Sequence, residues 1–385
     1  MKIAFFTRSL PFHQSGGMEE VAWDFAKGFA SLGHEVTVFT TRGQPPSQLP
    51  ERLRVLCLEA PSGRYSLRWW LQSLLAYHRV KASQDVVMGV GGGARALALS
   101  PRKNAPLLIA QAHGTAWGEF CGKLRLGQIK AILKSPRNLL AMFEDLTYRR
   151  FDAMIAVGPS VAKALGTRPT SWIIGKTPVH VIENGIPLQS FGFSQTRRVK
   201  AQARLGLRDS DRLILMASRL HAQKGLFEGL QAFEIAATRD SALHLAIAGS
   251  GPLEAKLQEK IVQSPQASRI HFLGHIPRAE LPLWTSAADI FLLPTRARES
   301  GIPLSILEAM AAGLPILTSP EIAALSPHLT ACDPRDPANI AAKLLDLPQP
   351  PLPRASLLPQ NRDLHHSLQA YLALFERLLT QRQTR

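Results

Sequence analysis

Apolar residues arrive along this chain in short unbroken runs, each closed by a polar turn and followed by a longer segment with helical spacing. In the first half the runs are KIAFFTR, EVTVFTT, DVVMGVG, PLLIAQAHG and DAMIAVGP, and the helical segment after the first is MEEVAWDFAKGFASLG. Short apolar runs bounded by turn residues predict strands covered on both faces, and their alternation with helices predicts a parallel sheet with helices on either side. A second round begins near Leu213 with LILMAS, a helix from Leu226, LHLAIAGSG, a helix from Glu254 to Lys260, IHFLGH and a helix around Glu280 to Thr285. Between the rounds, ENGIPLQSFGFSQTRRVKAQARLGL combines turn residues with a basic helical patch, which puts a domain boundary near Pro187. The expected organisation is α/β: two doubly wound Rossmann-like domains, residues 1–187 and 188–354. A proline cluster, LPQPPLPR, then precedes an amphipathic helix within 355–385 that is expected to pack back towards the first domain. Such folds bind ligands outside the carboxyl ends of their strands, so two in tandem imply a cleft between the ends of two sheets.

One helix raises a question about charge. ADIFLLPT and LPILTS read as buried parallel strands, and between them Pro303 suits a first helical position and Gly313 the residue past the end, predicting a helix from about Pro303 to Ala312. At 100° per residue, Leu304, Leu307 and Ala311 share one side, Ile306 and Met310 another, and Ser305, Ala309 and Ala312 fill the rest. No charged face exists. A carboxylate on such a helix must find a partner or a ligand, unless it escapes to water over small neighbours, and Glu308 is that carboxylate.

Composition narrows the class. A chain of 385 residues with 45% hydrophobic content can fill two cores. Cys57, Cys121 and Cys332 are odd in number and far apart, which suggests neither a disulfide framework nor a paired-cysteine metal site and fits a reducing compartment. MKIAFFTRSLPFHQ lacks a signal-peptide core, and no stretch reaches the roughly 18 apolar residues of a membrane span. The expectation is a cytoplasmic protein, soluble or peripheral on the inner face of the membrane. Lys and Arg outnumber Asp and Glu by 45 to 29, a formal +16, which points to anionic partners. Nucleic acid is not expected among them, because no recognition motif occurs and the basic residues are scattered over both domains.

Five segments together carry a resemblance: SGGMEEVAWDFAKGFASLGHEVTVFTT, VIENGIP, ASRLHAQKGL, IAGSGP and SAADIFLLPTRARESGIPLSILEAMAAGLPILTS. In this order they resemble the retaining glycosyltransferases of the GT-B fold, family 4, which use nucleotide-diphosphate sugars. The likeness runs from Met1 to about Ala342 and is least characteristic between Leu53 and Leu139. The resemblance implies that Arg219 and Lys224 hold the diphosphate, which gains charge as the glycosidic bond breaks and needs cations or helix N-termini. The backbone N–H groups of Leu304 and Ser305 would add the helix dipole. Glu308 would accept hydrogen bonds from the ribose hydroxyls, resolving its burial without a permanent cation. The first glutamate of the family's pair is less regular here: eight residues separate Glu299 from Glu308 where the family usually has seven, so either Glu299 reaches the sugar through a bulge or Ser300 takes its place. Alternatively Arg296, Arg298 and Glu299 form an exposed loop pair contributing little. Gly16 and Gly17 match a phosphate or sugar loop, although a plain turn uses glycine too. His113 matches a histidine near the transferred sugar, although a strand-end histidine is as often structural. The resemblance further implies transfer with retention. No carboxylate near His113 presents itself as an obvious covalent nucleophile, and beyond Asp209-Ser210-Asp211 no cluster offers metal ligands, so no metal or other cofactor is expected; the expected acceptor is a glycan or a lipid-linked glycan. Epimerases and phosphorylases share the architecture, but no lysine motif for pyridoxal phosphate is present.

Two motifs are read as turns. GVGGGA, Gly89 to Ala94, fits a dinucleotide fingerprint but sits at an internal strand with no acidic residue following for the ribose. Asp209-Ser210-Asp211 resembles a metal-binding Asp-x-Asp but precedes a strand and is flanked by Arg208 and Arg212. Finally, two basic stretches with interleaved apolar residues, Arg64 to Lys81 and Trp117 to Phe151, the latter with Lys123, Arg125, Lys130 and Lys134, suit an anionic membrane surface, unless their apolar residues face the core.

Overall fold

The computed structural model describes residues 1–14, 16–296, 299 and 301–384 apart from 126–144. The chain divides into two compact units, Met1–Ile186 with Asn361–Arg385, and Pro187–Gln360. Residues 355–360, grouped from sequence with the last helix, belong to the second unit. There the Leu357 N–H donates to the Met310 carbonyl at 2.8 Å.

The first unit holds seven parallel strands: β1 Lys2–Phe6, β2 Glu35–Thr40, β3 Leu53–Cys57, β4 Val86–Val90, β5 Leu107–Ala112, β6 Ala153–Ala156 and β7 Val179–Val181. Their order is β3-β2-β1-β4-β5-β6-β7. The second holds six: β8 Arg212–Ala217, β9 Leu243–Ala248, β10 Ile270–Gly274, β11 Ile290–Leu293, β12 Ile316–Thr318 and β13 Leu329–Ala331, in the order β10-β9-β8-β11-β12-β13. All pairings are parallel. In each sheet the connections run one way from the first strand and then reverse, so that a switch point lies between β1 and β4 and another between β8 and β11. Loops leaving neighbouring strands diverge there, which opens a crevice at the carboxyl ends.

The final helix, Leu364–Gln383, closes the first unit. Tyr371 and Phe375 are fully buried. The Tyr371 ring lies 4.9 Å from that of Phe25 and Phe375 lies 6.1 Å from Phe29, both partners being on the helix Gly17–Ser31. Gly28 permits the approach, since a Cβ there would stand 2.4 Å from Leu368 Cδ1. Burial of each ring contributes about 1.5–3 kcal/mol.

In the second unit the basic patch of the junction proves partly internal. On the helix Gln195–Leu205, Arg198 is buried, with Nη2 2.9 Å from Asp289 Oδ1 and Nη1 donating to the Ala287 carbonyl at 2.8 Å. Asp289 Oδ2 in turn accepts the Leu213 N–H at 2.9 Å, so the pair ties this helix to the start of β8 and β11. Removing one partner strands the other charge away from water. Arg198→Ala is therefore expected to lower the unfolding free energy by about 3–5 kcal/mol in urea titration, whereas Lys200→Ala on an exposed position of the same helix stays within about 0.5 kcal/mol.

Candidate active site

At the switch point of the second sheet, glycines bring the backbone of three loops together. Gly249 has φ +142, and a Cβ there would stand 1.9 Å from the Ser218 carbonyl oxygen; at Gly251, φ +154, a Cβ would stand 2.6 Å from the Leu220 carbonyl oxygen. The Leu220 N–H donates to the Ser250 carbonyl at 2.8 Å. The IAGSGP turn after β9 thus supports the loop after β8 that carries Arg219. On its other side, Gly225 at φ +70 packs its Cα against the Pro294 carbonyl, while Thr295 Oγ1 and the Arg296 N–H both donate to the Gln223 carbonyl, at 3.0 and 2.7 Å. The loops after β8 and β11 are locked to each other.

That locking brings Lys224 and Glu299 together: Nζ donates to Oε1 at 2.5 Å, with both side chains partly buried. Arg219 is exposed, and among the described residues its guanidinium has no hydrogen bond or ion pair. Arg296 pairs with Glu228 at 3.0 Å. Arg298 and Ser300 lie outside the described residues.

The helix after β11 runs Leu304–Ala311. Pro303 takes the N-cap position, not the first helical one, with ψ 146 and no side-chain cap. Leu304 and Ser305 are partly exposed and everything from Ile306 to Ala312 is buried. Uncapped first-turn amides and the helix dipole make this end receptive to an anion. Glu308 is 3% exposed, and Arg278 Nε donates to its Oε1 at 2.8 Å. The expectation of burial without a permanent cation is corrected here. A carboxylate this deep in an apolar helix needs a charged partner when no ligand is present. Arg278, in the turn after β10, supplies it and rests its guanidinium 5.1 Å from the centre of the Phe191 ring.

In the first unit, Gly16 has extended backbone, and a Cβ there would stand 2.4 Å from Glu19 Oε2; Gly17 opens the helix that follows. Glu19 is buried and its Oε1 accepts from Ser9 Oγ and Gln14 Nε2, both at 2.7 Å. His113 follows β5, with Nε2 3.1 Å from Gln111 Oε1, and Gln111 Nε2 donates to Tyr371 Oη at 2.8 Å. Desolvation lowers the His113 pKa to about 4, against a smaller upward pull from Glu19, so the ring is neutral at pH 7. Glu19 is thus a carboxylate within electrostatic reach of His113, and its Oε1 is already engaged by Ser9 and Gln14.

Three residues were missed from sequence: Arg278, Glu19 and Gln111. Glu19 had a signal, since with Ala22 and Ala26 it falls on the apolar side of its helix. Gln111 had a weaker one, a polar residue inside an apolar run, and Arg278 none that separates it from the other arginines. Both turn readings describe what the chain does. Gly93 packs on the Phe6 carbonyl, where a Cβ would stand 1.9 Å away, and Asp211 is buried against Arg208 at 2.9 Å. Of the basic stretches, 126–144 with Lys130 and Lys134 lies outside the described residues, as do the side chains of Lys123 and Arg125. The other forms the helix Leu67–Val80, with Trp69 buried and Leu67, Leu71 and Leu75 exposed at 87%, 59% and 51%.

Family models match both units. Residues 15–190 match the family described as Glycosyltransferase Family 4, and residues 211–349 the family described as Glycosyl transferases group 1. The amylovoran biosynthesis glycosyltransferase AmsK of Erwinia amylovora is 31% identical over 146 residues, 36% of each chain. An uncharacterized glycosyltransferase of Methanocaldococcus jannaschii is 27% identical over 83% of this chain and 80% of its own. Among solved structures, Anabaena HepE in complex with UDP and glucose superposes with a TM-score of 0.66 at 19% identity, covering 100% of this chain and 98% of the other. Matches in both units, and a shared fold along the whole length, mean that this chain belongs to the family 4, group 1 glycosyltransferases of the GT-B fold.

Proposed function

We propose that this enzyme moves a sugar, with retention of anomeric configuration, from a nucleoside-diphosphate sugar to a glycan or lipid-linked acceptor. The observation that carries the reading is the set of groups at the β8/β11 switch point: Arg219, uncommitted among the described residues, the Lys224 ammonium, a helix start at Leu304 and Ser305 without a side-chain cap, and Glu308 one turn further in. Breaking the anomeric C–O bond leaves the electron pair on the departing diphosphate. Arg219, Lys224 and the helix amides stabilise that charge, which makes leaving-group stabilisation the dominant contribution. The acceptor hydroxyl attacks from the same face, and its proton passes to the departing phosphate oxygen. Donor phosphates compete with Glu299 for Lys224, releasing the Glu299 carboxylate to accept sugar hydroxyls. Glu308, held in place by Arg278, accepts from the ribose. Gly16 and Gly17 allow close backbone approach of a phosphate or sugar, and a neutral His113 faces the transferred sugar. With this much positive charge supplied by the chain, transfer proceeds without a metal. The names of the relatives support the chemistry: one acts in polysaccharide biosynthesis, and the HepE structure holds UDP and glucose.

The donor side is tested by calorimetry with UDP, GDP and ADP. Glu308→Gln keeps an acceptor for Arg278 but loses the charge, and nucleotide affinity is expected to fall roughly 10- to 100-fold, as for a hydrogen bond to a charged group. Unchanged affinity would remove Glu308 from the donor site. Arg219→Ala and Lys224→Ala are each expected to lower turnover on the order of 100-fold, and near-normal rates in both would end the diphosphate assignment. Activity should persist in EDTA; its loss, with recovery on adding manganese, would show a metal requirement.

For the acceptor, the helix Leu67–Val80 favours a lipid surface. Leu67, Leu71 and Leu75 form an exposed stripe beside Arg64, Arg68 and Arg79, and no acidic residue occurs between Glu59 and Asp85. Leucines insert at the interface and each Arg adds about 1 kcal/mol near anionic lipid. Sedimentation with phosphatidylglycerol vesicles should show binding that weakens with salt, is absent on phosphatidylcholine alone, and is lost when the three leucines become Ser. A dimer in light scattering that the same triple variant dissolves would assign the stripe to a second copy instead.

A further inference from the structure

His113, itself partly exposed, ends a polar chain that starts on the last helix and runs through buried Tyr371 and Gln111. Tyr371 is fully buried, its ring wedged among Phe25, Phe29 and Phe375, so its hydroxyl oxygen is fixed in place. Gln111, also fully buried, directs its amide nitrogen to that oxygen at 2.8 Å. The carbonyl end of the same amide therefore meets His113 Nε2, at 3.1 Å. A carbonyl oxygen only accepts, so the hydrogen in this contact belongs to the imidazole. Nδ1 then carries the lone pair, and among the described residues it has no partner. Glu19, whose charge also reaches the ring, is bound to Ser9 and Gln14.

We propose that Tyr371 and Gln111 are positioning residues that hold His113 as the Nε2–H tautomer, presenting Nδ1 as the acceptor for a hydroxyl of the transferred sugar. The last part rests on the reading of His113 given under Proposed function. The structural part stands alone: the C-terminal helix, from the far end of the sequence, sets the hydrogen-bonding polarity of a site residue after β5. A neutral imidazole left to itself populates both tautomers, and an orienting neighbour selects one. A hydroxyl can donate as well as accept, so it is the observed pair of contacts, amide nitrogen to Tyr371 and amide oxygen to His113, that sets the tautomer, and loss of the Tyr371 oxygen leaves the glutamine without its second anchor.

The test is the His113 tautomer by long-range ¹⁵N–¹H NMR of the unliganded full chain, with nitrogen shifts assigned by the His113→Ala variant. Wild type should show Nε2–H. Tyr371→Phe and Gln111→Leu should both give a mixture of tautomers. With the sugar nucleotide whose base binds best among UDP, GDP and ADP, Tyr371→Phe and Gln111→Leu should lower kcat on the order of tenfold, as for one lost hydrogen bond. Nucleotide affinity should be unchanged. An Nδ1–H signal in wild type, or the wild-type tautomer persisting in both Tyr371→Phe and Gln111→Leu, overturns the proposal, as does a normal kcat in both. A normal rate in His113→Ala with the tautomer results intact would instead remove the role of His113 at the sugar and leave the positioning result standing.

Discussion

A parallel sheet covered on both faces has no room for charge along its strands, and this constraint orders the rest of the molecule. β4 and β11 are buried along their whole length, and β5 carries a single polar side chain, that of Gln111. Polar chemistry is displaced to where the strands stop. At the carboxyl ends the loops after β8, β9 and β11 are held by glycines whose bare Cα atoms rest on neighbouring carbonyls, and that backbone framework places Arg219, Lys224 and Glu299. Packing is the cause here, and the site is its consequence.

The second consequence concerns the charges themselves. A lone ion beside an apolar sheet is costly, so the deep carboxylate Glu308 is matched by Arg278, and Lys224 by Glu299. Each pairing keeps an ionic group charged and oriented while no ligand is present. Each also sets a threshold, because a ligand that takes over Lys224 must offset the contact with Glu299. A diphosphate, with two negative charges against the carboxylate's one, is suited to do so. Arg219 lies on the exposed side of the same loop and carries no such cost.

How much was legible in the sequence follows from the same physics. Strands in the middle of each sheet are covered on both faces and read as unbroken apolar runs. β3, β7 and β13 escaped notice because they are edge strands: β3 alternates buried Leu53 with exposed Arg54, and the other two are three residues each. The helix carrying Glu308 was placed to within a residue at each end, because proline and glycine mark its limits. Its partner was not found, since Arg278 lies thirty positions earlier and local pattern says nothing about which of many arginines a fold will bury. Arg198 was misjudged for the same reason: within a run of basic residues nothing local marks the one that turns inward.

The two units handle this problem in opposite ways. In the second, the candidate donor groups are ions held by counter-ions, as befits a site for a charged leaving group. In the first, burial drives the imidazole of His113 to its neutral form, and its neighbour is an amide instead of a carboxylate. A neutral ring whose proton is placed by Gln111 offers one donor and one acceptor of fixed direction, which suits uncharged hydroxyls better than phosphates. Gln111 depends in turn on Tyr371, so the last helix does more than cover apolar surface. Its aromatic residues fill the first unit's core against Phe25 and Phe29, and the buried Tyr371 hydroxyl carries that rigidity to the end of β5.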